Sequence, residues 1–338
     1  MREATRCRDS WRRGTVAAAL LMLLAPGAHA GETNALAPAT PHTTACTRAA
    51  TFRTIVDVGH GTQAPGALSA RGVDEYDFNL RLSREIDKEL RAAGFAKTVL
   101  MVTPEKPHKG LFKRVRRAND MKADLLLAIH HDSVPDPMLE TWQVDGKTRH
   151  YNDRFPGHSI FISNGNADPV GSLAFARALG LALKAHGLKY TPHYTEKFMK
   201  NRRRELVDAQ AGVYRYDQLI VLKDTKMPAT LLEAGSIVNR DEELLLETSE
   251  HQAIMAGAVV EAVDEFCVAR SKASEPQVAK RDDSPKAAKK HDDGSKVATK
   301  HDGPPKTAKK RDDGPKMAKR SDEARHKPQA SWLRRIFQ

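Results

Sequence analysis

The stretch "TIVDVGHGTQAPGALSARGVDEYDFNLRL", Thr54–Leu82, decides how the chain is read. It opens as an apolar, β-branched run, the composition of a buried strand. The run stops at Gly59-His60-Gly61. A loop rich in Gly, Pro, Ala and Ser follows, and then Glu75 opens a helical pattern in which Phe78, Leu82, Ile86 and Leu90 share one face. Gly94 supplies the helix stop. A histidine between two glycines marks a tight strand-to-loop corner, where neighbours without Cβ let the backbone turn and a ligand approach.

Further strands are expected at "KTVLMV", "DLLLAIH", "HSIFIS", "QLIVLK" and "PATLLE". Helices are expected at "LFKRVRRANDMK", at "DPVGSLAFARALGLALKAHG" with its Asp-Pro start, at "RDEELLLE" and at "EHQAIMAGAVVEAVDEFC". The alternation predicts a single α/β domain with a mostly parallel, roughly six-stranded twisted sheet flanked by helices. Sites in such sheets gather at the carboxyl ends of strands. The first strand ends at His60, the third at His130 and the sixth at Glu233, and Glu75 opens the first helix. Two imidazoles and two carboxylates are thereby delivered to one sheet edge. His60, Glu75 and His130 are candidate zinc ligands, since zinc takes N and O donors and a catalytic site leaves a position open. His131 rivals His130, but neighbouring strand side chains point to opposite faces, so one of the two faces the site. Glu233, an acid at the end of an apolar strand, suits a general base. Singly each has a plainer reading: a turn histidine, a first-turn carboxylate on the helix dipole, an exposed strand end.

The chain has 338 residues and a net charge of +12. From Ser271 onward 19 Lys/Arg stand against 10 Asp/Glu, an excess of nine; residues 1–30 hold five Arg against Glu3 and Asp9, an excess of three. The region between is neutral, which excludes a basic nucleic-acid-binding domain. Residues 1–30 read as an export signal: an Arg-rich start, the apolar "TVAAALLMLLAPG" and a small-x-small cleavage site at Ala28-His29-Ala30. The Arg12-Arg13 pair leaves general and twin-arginine export both open. A periplasmic home is expected, with secretion as the alternative. Residues 31–51 read as a linker, 52–267 as the catalytic domain and 268–338 as a disordered basic tail. The tail carries decapeptide repeats starting at Arg281, His291, His301 and Arg311, too poor in large apolar side chains to fold. Its lysines suit an anionic surface, or serve only as a spacer. Cys46 and Cys267 flank the domain, and in an oxidising compartment they are expected to pair.

Four ordered blocks carry a resemblance: "IVDVGHGTQAPGA", "GVDEYDFNLRL", "RVRRANDMKADLLLAIHHD" and "VLKDTKMPATLLEAGSIVNRDEE". Together they resemble the zinc-dependent N-acetylmuramoyl-L-alanine amidases (amidase_3 type), which cut peptidoglycan between N-acetylmuramic acid and L-alanine of the stem peptide. The resemblance implies zinc on His60, Glu75 and His130, Glu233 as catalytic base, peptidoglycan as substrate and an activator protein as a further partner. His131-Asp132 departs from the family's Ala-Asn. Segments 134–156 and 189–211 look inserted and functional; Glu140 and Glu205 are candidates to block the metal, as in some members, and His193 reads as a loop histidine. The alternatives are a zinc peptidase trimming wall peptides and a non-catalytic wall-binding protein.

Overall fold

The computed structural model describes residues 44–274 apart from 105–106. The expected export signal, most of the expected linker and the repeat segment lie outside the described residues. Among the described residues there are nine strands: β1 Thr54–Val58, β2 Val99–Met101, β3 Leu125–Asp132, β4 Glu140–Val144, β5 Lys147–Tyr151, β6 Ser159–Ile162, β7 Glu205–Asp208, β8 Val213–Arg215 and β9 Ala229–Ser236. Six α-helices accompany them: α1 Glu75–Ala92, α2 Pro107–Asp120, α3 Pro169–Ala185, α4 Ile220–Lys223, α5 Arg240–Leu246 and α6 Ser249–Ser274.

Seven strands make one sheet in the order β2-β1-β3-β9-β6-β8-β7, and β4-β5 is a separate hairpin. The pairings β1-β2, β1-β3, β3-β9 and β6-β8 are parallel; β6-β9 and β7-β8 are antiparallel. The sheet is therefore mostly parallel and has seven strands rather than six. "QLIVLK" is not a strand: it forms the short α4, whose Val221 and Leu222 pack beside Val115 and Ala118 of α2. The strands in that part of the chain are β7 and β8.

Strand parity sorts the core into two layers. Val56, Leu127, Ile129, Ile160 and Leu232 pack against Leu82 and Ile86 of α1, Phe175 and Leu179 of α3, and Val259 and Val263 of α6. Ile55, Leu126, Ala128, Phe161 and Leu231 face α2, α4 and, from segment 189–211, Tyr194 and Met199. β3 and β9 are buried along their whole length, as expected for central strands covered on both faces. The four-residue spacing of Phe78, Leu82, Ile86 and Leu90 buries one stripe of α1. Gly94 (φ 96°) ends that helix in the left-handed region, and Phe95 N donates to Leu90 O across the turn. Asp168 caps α3 by accepting from Gly171 N at 2.8 Å.

The disulfide Cys46–Cys267 joins the two ends of the domain, with Cα atoms 5.7 Å apart. Beside it, Asp264 of α6 accepts from Ala45 N and Cys46 N, both at 2.9 Å. α6 continues past Cys267 to Ser274, so residues 268–274 belong to the helix and not to the tail. The bridge closes a loop with a sequence separation of 221, and long loops lose most denatured-state entropy on cross-linking. Replacing both cysteines with Ser should lower unfolding free energy by about 2–5 kcal/mol. Urea unfolding under oxidising conditions checks this, and an unchanged midpoint would show the bridge to be energetically idle.

Candidate active site

β1 ends at Val58, and the chain turns through Gly59, His60 and Gly61 into the loop leading to α1. His60 has φ 64°, a conformation costing a non-glycine residue roughly 1–2 kcal/mol. It is held from behind. Arg114 of α2 donates from Nη2 to His60 O at 2.9 Å and pairs through Nε with Asp57 Oδ1 at 3.3 Å. Burial lifts the Asp57 pKa to about 6 against the pull of Arg114. Gly59 is needed for a different reason: a Cβ there would lie 2.6 Å from the His130 ring. Gly66 (φ 92°) similarly leaves room for the Glu75 carboxylate.

These turns bring three donors together. Glu75 Oε2 lies 3.1 Å from His60 Nε2, and Glu75 Oε1 lies 3.0 Å from His130 Nδ1. The two imidazoles cross with ring centroids 4.9 Å apart. One ligand atom from each of the three residues lies within 4.8 Å of the others. His60 Nε2 is buried, and its contact with Glu75 Oε2 is an ion-pair distance without well-aligned hydrogen-bond geometry, whereas a buried ring nitrogen normally has an aligned partner. Burial opposes the charge on Glu75, but His60 and His130 outweigh it and hold the carboxyl well below the usual range. An ionised carboxylate with two imidazoles aimed at one point is a donor set that suits zinc. Gly59 and Gly66 serve the same set by letting the His130 ring and the Glu75 side chain close in where a Cβ would stand.

Glu233 stands beside this cluster. In β9 it lies level with His130 of β3 and with Ser159 of β6. It is only 4% exposed, and its Oε2 has no hydrogen-bond partner, so it is not an exposed strand end. Burial, with Asp132 and Glu75 adding to it, pushes its proton affinity well above the ordinary carboxylate range, and Arg202 pulls the other way.

A family model described as N-acetylmuramoyl-L-alanine amidase matches residues 54–265, which takes in β1, both histidines, Glu75 and Glu233. The chain belongs to the N-acetylmuramoyl-L-alanine amidase family. Among curated relatives, a putative N-acetylmuramoyl-L-alanine amidase of Buchnera aphidicola is 23% identical over 220 residues, 64% of this chain and 97% of that protein. AmiC of Neisseria meningitidis is 26% identical over 225 residues, 63% of this chain and 52% of that protein, so the match spans about half of AmiC. The crystal structure of the amidase Ami1 from Mycobacterium smegmatis aligns with a TM-score of 0.49 at 16% identity, over 65% of this chain and 98% of that one.

Within this amidase domain several side chains around the cluster are not evident from sequence. Asn79, one helical turn beyond Glu75, donates to Gly59 O at 3.2 Å and to Glu75 Oε1 at 3.3 Å. The i, i+4 spacing was the available signal. His131 points to the opposite face from His130, against Phe78 and Asn79, and burial drives its pKa down to about 3. Tyr194 donates to Asp132 Oδ1 at 2.8 Å, and Arg202 donates to Ser133 O at 3.1 Å. Segment 189–211 is pinned by these contacts to the end of β3. His193 is not an open loop residue: it is buried, with Nε2 3.5 Å from Asp132 Oδ2. Glu140 and Glu205 are exposed and engaged elsewhere, Glu140 with Tyr151 and Glu205 with Arg215. Neither joins the cluster. Segment 134–156 instead builds the β4-β5 hairpin, whose Trp142 donates to Ala70 O at 2.9 Å.

Glu242 of α5 supports the end of β9, accepting from Ser236 N and Gly157 N, both at 2.9 Å. Burial outweighs these bonds and, with Asp132 adding to it, raises its pKa to about 7. The unfolded chain releases this proton at an ordinary carboxylate pKa of about 4.3. Between the two values the native state binds more protons, so the stability from this group falls as pH rises, by up to about 4 kcal/mol. Glu242→Gln should flatten the pH dependence of the urea midpoint across this window. A variant as steep as wild type would show that Glu242 is not its source.

Proposed function

We propose that the protein hydrolyses the amide between N-acetylmuramic acid and L-alanine of peptidoglycan in a zinc-dependent reaction, with His60, Glu75 and His130 holding the metal and Glu233 as general base and acid. The observation that carries this reading is the convergence of three ligand atoms within 4.8 Å of one another beside Glu233, a buried carboxylate whose Oε2 has no hydrogen-bond partner. Bound zinc supplies Lewis acidity, polarising a carbonyl and lowering the pKa of water from 15.7 toward about 7. Glu233 takes the proton from the attacking water as its oxygen bonds to the amide carbon. The same carboxyl then gives the proton to the L-alanine nitrogen as the C–N bond breaks. Its raised proton affinity, the result of burial beside Asp132 and Glu75, suits a group that takes a proton and holds it until the leaving nitrogen needs it. Asp57 and Arg114 hold the His60 corner throughout. The disulfide supports an oxidising compartment outside the cytoplasm.

The test is digestion of purified peptidoglycan with and without chelator. Release of peptides beginning with L-alanine, leaving intact sugar chains, is the expected outcome, and chelator should abolish it. Shortened peptides still attached to muramic acid would instead indicate a peptidase, and no digestion by zinc-loaded protein would favour a binding role.

A further inference from the structure

His130 and His131 are adjacent but face opposite sides of β3, and His131 has no part in the ligand cluster. It is nonetheless 3% exposed and makes a short, specific contact: its Nδ1 lies 2.7 Å from Asn79 Oδ1. The Asn79 amide nitrogen then faces two acceptors, Gly59 O and Glu75 Oε1. Only one arrangement satisfies all these atoms: Nδ1–H of His131 donates to Asn79 Oδ1, and Asn79 Nδ2 donates onward to both oxygens. The backbone N–H of His131 also points at Glu75 Oε1, 3.4 Å away. The residue therefore acts on the carboxylate twice, once directly and once through the amide. The amide in turn ties Glu75 to Gly59, the residue preceding His60. One buried imidazole orients the link between two of the three donors. Phe78, with its ring 5.6 Å away, packs that imidazole in place.

We propose that His131 is a positioning residue for the metal: through Asn79 it fixes the Glu75 carboxylate and the Gly59–His60 corner in the geometry that binds zinc. Partners of this kind typically change metal affinity by about 10–100-fold. The inference rests on the zinc reading above.

Zinc affinity of the full chain, measured by competition with a chelating indicator, tests it without recourse to turnover. His131→Phe keeps a buried ring against Phe78 and removes the donor. Its zinc affinity should fall about 10–100-fold, while urea unfolding in chelator shows a folded protein. His131→Asn returns an N–H donor at a similar distance from the backbone and should recover most of the affinity. Asn79→Ala should lose as much as His131→Phe, and the double variant no more than either, because the two act as one unit. Should His131→Phe fail to fold, wild type, Asn79→Ala and His131→Asn decide the matter: Asn79→Ala must lose affinity and His131→Asn must keep it. Wild-type affinity in a folded His131→Phe, or in Asn79→Ala, overturns the positioning role and leaves the zinc reading intact. Equal losses in the Phe and Asn variants overturn it in favour of a packing effect. A wild-type chain that takes up no zinc overturns both.

Discussion

Glu233→Gln should leave a folded, zinc-binding protein whose kcat/KM on peptidoglycan is lower by about 10²–10⁴-fold, the span that general acid–base catalysis supplies. Glutamine keeps the shape of the side chain and removes the group that moves the proton. Glu233 is not one of the three clustered donors, so zinc uptake should match wild type. The substitution also removes a buried acid flanked by Asp132 and Glu75, and stability should hold or rise, because a buried carboxylate beside like charges is costly. Metal analysis, urea unfolding and muropeptide release on one preparation separate these effects. Turnover within tenfold of wild type would remove Glu233 from the reaction, and loss of zinc would show it to be a ligand.

His60→Ala should abolish activity by a different route. It deletes one of three donors, and the remaining carboxylate and imidazole form too small a set for zinc. The loss of affinity should exceed the roughly 10–100-fold that follows removal of an outer partner. The corner itself should survive: Arg114 grips a backbone carbonyl at residue 60, which alanine retains. Stoichiometric zinc in the variant, by elemental analysis after dialysis, would contradict the ligand role. Together the two substitutions distinguish losing the metal from losing the proton carrier.

The parts of this site that were legible in sequence share a physical cause. Apolar runs give way to His60, His130 and Glu233, and the carboxyl half of the sheet collects those residues, although β3 continues to Asp132 and β9 to Ser236 rather than stopping at them. Period-2 alternation sends His130 and His131 to opposite faces, and their contacts follow it, His130 to Glu75 and His131 to Phe78 and Asn79, although the β3–β9 register shifts between His130 and Asp132. Cys46 and Cys267 were legible because domain ends lie close together. "QLIVLK" misled because a short apolar run reads equally as strand or helix. Its packing against α2 settles the matter, and that contact is invisible locally. Asn79 sits four residues beyond Glu75 and Arg114 opens the "RVRRAND" block, but neither spacing says which backbone carbonyl or carboxylate the polar end reaches; only the packed helices show that. Tyr194 and Arg202 come from segment 189–211, where only three-dimensional closure reveals that they meet the end of β3. Glu140 and Glu205 looked suitable because a long polar insertion can reach a metal. Hairpin and edge-strand pairing carry them to Tyr151 and Arg215 instead.

The most direct test is anomalous diffraction at the zinc edge from crystals of the zinc-loaded protein. A single peak bound by one atom each of His60, Glu75 and His130, with Glu233 beside it and uncoordinated, is the expected result. A peak lying on other residues, or none at full zinc occupancy in solution, would contradict the metal centre proposed for this amidase.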